Sequence, residues 1–149
     1  MTLSTGTVLQ GCFFLAGSRP SHAGPERVAD LLNAENGFFP FEFTADDGVR
    51  TALINRAQVV EIRLLEGEDE AREDPGYAVA TARDVRMLLS IGRMVVGRVR
   101  VNLPSGRDRL SDYTRAPETF RYVETAEGTL IVNSAHIVEL RETNDDPRN

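Results

Sequence analysis

The eleven residues Leu53 to Arg63, LINRAQVVEIR, align without a gap to Ile131 to Arg141, IVNSAHIVELR. Five positions are identical: Asn55 with Asn133, Ala57 with Ala135, Val60 with Val138, Glu61 with Glu139 and Arg63 with Arg141. Four more exchange one aliphatic side chain for another. An internal period of this kind constrains a fold more than composition does, because each repeat must be one supersecondary unit that buries its apolar face against a neighbour.

The order of signals is kept upstream. Arg27-Val28-Ala29-Asp30 answers Arg109-Leu110-Ser111-Asp112, Phe38 answers Phe120, and Asp47-Gly48 answers Glu127-Gly128. Gly6 and Gly11 answer Gly92 and Gly97 at the same spacing. Copy one is longer by four residues before Arg27 and by four after Asp30, differences expected in surface loops. The expected units are residues 1–65 and 77–142, joined by an acidic linker at 66–76 and followed by a flexible tail at 143–149. Each holds about 65 residues, where a lone core is marginal, so shared burial or oligomerisation is expected. We expect the two to pack about a pseudo-two-fold.

Within each copy the pattern reads as about five short strands and a helix. Arg98-Val99-Arg100-Val101 alternates polar and apolar, the two-residue period of a half-buried strand. Pro25 to Asn33 reads as a helix opened by proline, with Val28, Leu31 and Leu32 on one face, and Arg109 to Thr114 as its shorter counterpart. Phe38 to Phe43 alternates but contains Pro40, which predicts an edge or irregular strand. Arg83 to Ile91 supplies copy two with an opening strand, whereas copy one has only Met1 to Thr5 there. That stunted start predicts an uncovered sheet edge.

The net charge of −6 weighs against a surface that grips nucleic acid throughout. The charge is uneven: residues 1–65 carry 5 Arg against 7 acids, 66–76 carry 1 against 6, and 77–149 carry 11 against 10. One cysteine, Cys12, allows no internal disulfide and fits a reducing cytoplasm. No run approaches the roughly 20 apolar residues of a membrane span, so no membrane partner is expected.

With the bent strand around Gly97, the tight turn from Asn133 to His136 and the closing Ile137-Val138-Glu139-Leu140, copy two resembles the Sm-like or SH3-like small β-barrel, and copy one does so more loosely. The Arg-Leu-Ser-Asp insertion followed by Phe120 is also similar to a group of short bacterial domains of unassigned function. The resemblance implies a mainly β fold of two tandem small barrel-like units and a tendency to self-associate. Sm-like proteins contact RNA through an Asp and Asn loop after the bent strand and a basic-Gly step near the end. Leu103-Pro104-Ser105-Gly106-Arg107 and Val132-Asn133-Ser134 stand there instead, so the resemblance speaks for assembly more than for RNA.

Arg93, Arg98, Arg100, Arg107 and Arg109, with Arg115 and Arg121, form the best anion-binding set, since a guanidinium suits phosphate. The competing reading is a solvated face paired with Asp108, Asp112 and Glu118. Arg27 with Asp30 and Arg109 with Asp112 recur at one spacing, as helix-surface pairs, as carboxylates holding a loop, or around a shared ligand. His22 and Cys12 belong to no nucleophile motif, and two histidines with one cysteine cannot space a zinc site. No Walker-type or dinucleotide loop is present. The expectation is a non-catalytic binding or assembly module without cofactor, with a protein partner or a second copy as ligand. The alternative is an Arg-lined module for RNA or nucleotide phosphate.

Overall fold

A computed structural model describes residues 1–17, 24–34, 37–65, 69–74, 76–104 and 106–143. His22 and the tail beyond Thr143 lie outside the described residues. Copy one contributes β1 (Thr2–Leu3), β2 (Gly11–Phe13), α1 (Val28–Ala34), β3 (Phe38–Ala45), β4 (Gly48–Asn55) and β5 (Val59–Arg63). Copy two contributes β6 (Thr81–Leu89), β7 (Met94–Val101), α2 (Leu110–Thr114), β8 (Phe120–Thr125), β9 (Gly128–Asn133) and β10 (Ile137–Glu142). The fold is mainly β, with five strands and one short α-helix per copy among the described residues.

The strands form two antiparallel sheets, ordered β1-β5-β9-β8-β7-β6-β10 and β2-β3-β4. Neither closes on itself, which corrects the barrel expectation to open sheets. Copy two runs fifth-first-second-third-fourth within the larger sheet. Copy one keeps that order in two fragments, β5 with β1 and β2-β3-β4, because β1 is two residues long and only the isolated bridge Thr2 to Val8 continues it.

Local chemistry explains why the copies agree. After the first strand, the N–H of Leu3 donates to Thr7 O and that of Leu89 to Arg93 O, each at 2.9 Å, closing a turn on Gly6 or Gly92. Those glycines take φ of +82° and +81°, a region costly for any side chain. A Cβ at Gly11 would run into the carbonyl oxygen of Glu42 on β3, and one at Gly97 into that of Glu124 on β8. Both glycines therefore let the second strand approach the third. Before the closing strand, Asn55 Oδ1 accepts the Ala57 N–H and Asn133 Oδ1 the Ala135 N–H, each at 3.0 Å. Each asparagine caps a single 3-10 turn, at Arg56–Gln58 or Ser134–His136.

Four expectations need correction. The second length difference lies in no loop: β3 and β4 are each two residues longer than β8 and β9, so the hairpin itself is extended. β3 is the central strand of its sheet despite Pro40, and the physical reason is the brevity of β2. It pairs only with Phe41 to Phe43, which leaves Pro40 locally at an edge. The acidic segment is partly built into the body. Glu70–Glu73 forms a 3-10 turn with Ala71 buried, and the Glu70 carboxylate accepts the N–H groups of Val28 and Ala29 and the hydroxyl of Tyr122. That carboxylate sits at the positive end of α1.

The last correction concerns how the copies meet. A two-fold would pair like strands, but β5 of copy one pairs with β9 of copy two, a fifth strand with a fourth. Both apolar clusters straddle this seam. One gathers Val85, Met87, Val99, Val123 and Leu130 of copy two around Val60 of copy one. The other gathers Leu32, Phe39, Phe41 and Ile62 of copy one around Phe120 and Ile131 of copy two.

Candidate assembly surface

The seam is built by strand addition. β5 lies along β9 with Glu61 opposite Val132, Ile62 opposite Ile131 and Arg63 opposite Leu130. Its rim is polar. Asn133, fully buried, donates Nδ2–H to Val59 O at 2.8 Å. His136 bonds Ala57 O through Nε2 at 2.7 Å, so that nitrogen carries the proton and Nδ1, 2.7 Å from Ser90 Oγ, accepts. Arg93 pairs with the buried Glu61 across the copies. Above the sheet, Asn33 of α1 receives the Phe120 N–H at 2.8 Å and donates to the Phe120 carbonyl at 2.9 Å.

The repeat supplies a reference for every side chain buried in the seam. Val60 is 0 % exposed and its counterpart Val138 is 65 % exposed. Ile131 is 0 % exposed and its counterpart Leu53 is 70 %. Phe120 is 3 % exposed and its counterpart Phe38 is 61 %. Burying a side chain of this size contributes roughly 1.5–3 kcal/mol, so the same positions are strongly stabilising inside and unused outside. Val138 lies on β10, whose one sheet neighbour is β6. Leu53 lies on β4, whose one neighbour is β3, and Phe38 is beside it on the outer face of that sheet. At the stunted start β1 pairs with β5 but ends its sheet, and β2 ends the other, so the edge expected there remains, crossed only by the bridge between Thr2 and Val8.

Of the anion-binding candidates, Arg98, Arg100 and Arg107 line one cleft together with Arg115 and Arg121, and Arg93 stands apart. Arg93 serves the seam. Arg98 bonds Asp84 at 2.9 Å, which raises its pKa, and Arg100 bonds Glu124 at 3.2 Å while lying 3.8 Å over the Tyr77 ring. Arg121, named with them, donates to the carbonyls of Tyr113, Ala116 and Glu118. Arg107 follows a turn closed by its own N–H on Pro104 O, and Arg109 opens α2. Arg27 and Asp30 form a two-pronged pair at 3.1 and 3.2 Å, and Asp30 also accepts the Arg27 N–H. Asp112 accepts the Arg109 N–H at 3.2 Å, so in both copies the aspartate fastens the start of a helix. The described residues contain no group of three metal-ligating side chains. No described helix is long and apolar enough to cross a membrane.

Sequence reasoning did not single out Phe38, Leu53 or Val138. The alignment paired two of them with Ile131 and Val60, and the third with Phe120. It held nothing to say which member of each pair a neighbouring strand would cover. No protein-family model matches the chain, and neither a curated protein nor a solved structure is similar enough to it to count as a match.

Proposed function

We propose that this chain is a non-catalytic self-association module whose molecules join end to end by strand addition. The observation that carries the reading is the pairing of unlike strands, β5 with β9, where the copies meet. A contact between unlike surfaces leaves one of each kind unused, and such contacts propagate into a closed ring or an open filament. The unused fourth strand is β4 of copy one and the unused fifth strand is β10 of copy two. Edge strands left open in this way accept main-chain hydrogen bonds from another chain.

The repeat transposes the internal register onto a second molecule. Glu139, Leu140 and Arg141 of the next chain come opposite Ile54, Leu53 and Ala52. The seam's polar bonds transpose with it: Asn55 Nδ2 reaches the next chain's Ile137 carbonyl, and the Gln58 amide reaches its Ala135 carbonyl. Val138 then enters the side of a neighbouring apolar cluster as Val60 does within the chain. The fifth-first-second-third-fourth strand order supports the Sm-like and SH3-like resemblance, and the single exposed Cys12 supports a reducing, cytoplasmic setting.

The test uses two single substitutions at exposed positions, Leu53→Asp and Val138→Asp, each of which disables one end and leaves the other. By light scattering the parent protein should grow in mass with concentration, and each variant alone should stay monomeric. Mixed in equal amounts, the variants should form a dimer and stop there, because one working end of each kind remains. A parent protein that stays monomeric up to millimolar concentration, or a mixture that never dimerises, defeats the proposal.

A further inference from the structure

A cleft of about 780 Å³ runs between the two copies, walled by α1, the 76–80 turn, β7, β8 and α2, with no residue of β4 or β10 in its lining. That volume is typical of sites for small molecules. Its walls are fastened by bonds already described: Asn33 ties α1 to β8, Glu70 ties the connecting segment to both, and Arg121 holds the end of α2. Such a concavity is formed before any ligand arrives, which lowers the cost of binding.

The charge lining the cleft departs from that of the chain. Six arginines face five carboxylates there, against a net −6 for the whole protein. Arg27 and Arg100 are neutralised within the cleft by Asp30 and Glu124, Arg98 is held by Asp84, and Arg121 is spent on carbonyls. Arg107 and Arg115 line the same cleft from the two ends of the α2 segment, and neither side chain has a partner among the described residues. Both are exposed, so they stand at the mouth. Asp74, Asp112 and Glu118 line the cleft as well, so its charge is mixed, and the two guanidinium groups without a partner offer donors to a planar array of acceptor oxygens.

We infer that this cleft binds a small, multiply charged oxyanion, held at its mouth by Arg107 and Arg115. Phosphate esters and polycarboxylates share that chemistry. The site is independent of the open strand edges, so a monomer should bind as well as an assembly.

Calorimetric titration of the Leu53→Asp chain with pyrophosphate in one arm and citrate in the other tests the inference and tells the two sources apart. We expect saturable binding of at least one probe, weakened tenfold or more in Arg107→Gln/Arg115→Gln. It should be unchanged in Arg50→Gln/Arg86→Gln, which removes the same charge at a distance from the cleft. Circular dichroism checks that each variant is folded. Binding of neither probe, or equal weakening in both double variants, overturns the inference. Because the background is monomeric on the assembly reading, loss of that reading would show as a change in mass and leave the titration readable.

Discussion

Copy one and copy two use the same strand plan with opposite outcomes at matched positions. Ile131 is sealed between β5 and the apolar cluster under α1, while Leu53, equally large and aliphatic, faces water. The turn on Gly6 and the turn on Gly92 close with the same bonds, so local sequence builds both units alike. What differs is the neighbour. Copy one lends its fifth strand to copy two and receives none in return. The difference teaches that the burial of a strand edge belongs to the pair of units, and that one chain of two copies must leave one fourth-strand and one fifth-strand edge unused.

The largest effect should come from placing a charge at the matched aliphatic positions. Ile131→Asp buries a carboxylate with no partner and should cost more than about 4 kcal/mol, enough to unfold a small protein. Leu53→Asp should stay within about 0.5 kcal/mol of the parent when both are measured by urea unfolding at a dilution that keeps them monomeric. Similar costs at the two positions would break the comparison, because they would mean that β4 is covered within the single chain.

How much of this was legible in the sequence follows from which forces are local. Glycine at a positive φ, asparagine at a 3-10 cap and the alternation of Arg98 to Val101 are decided within a few residues, and all were readable. The central place of β3 was not, since Pro40 argues for an edge unless the length of β2 is known. Nor was the binding of Glu70 at the start of α1, because a run of acids reads as solvated when its partners are 41 and 42 residues away. Of the candidate site, the repeat exposed the matched pairs, but only the pairing of β5 with β9 distinguishes the covered member from the bare one. The pairing of Arg98 and Arg100 was hidden for the same reason: their carboxylate partners, Asp84 and Glu124, lie on other strands.

Alkaline pH should separate the copies by a smaller margin. All three tyrosines are in or next to copy two, and the copy-one counterparts of Tyr113 and Tyr122 are Leu31 and Pro40. Burial pushes the Tyr113 phenol up to about 12, with Arg121 over its ring acting in the opposite direction, and Tyr122 is raised as well by burial and by Glu70. A phenol in the unfolded chain ionises near 10. The neutral form is thus favoured by folding, so the stability it confers is complete below pH 10 and is lost as pH rises through 12. Urea unfolding should show ΔG falling by roughly 1.4 kcal/mol per pH unit for each of the two phenols in that window. Tyr113→Phe should flatten the slope. It should also raise stability at neutral pH by about 1 kcal/mol, because the buried hydroxyl has no hydrogen-bond partner. An unchanged slope would remove Tyr113 from the account.

The smallest effect is the most informative about the seam. Asn133 and Asn55 make the same cap at 3.0 Å, but only Asn133 also donates across the copies, to Val59 O. Asn55→Ala should therefore cost the cap alone, about 1 kcal/mol. Asn133→Ala should cost about 2 kcal/mol, since it also leaves a buried carbonyl unpaired. The gap of about 1 kcal/mol isolates the cross-copy bond, and it should depend on concentration. In dilute protein Asn55 Nδ2 faces solvent. Where molecules join through β4 and β10, it acquires the next chain's Ile137 carbonyl, and the two substitutions should converge in cost. Asn55→Ala should then also weaken association several-fold by light scattering, an effect that a cap acting only within its own turn would not produce. A gap that stays fixed from micromolar to millimolar protein would mean that the outer asparagine never meets the partner its inner counterpart has.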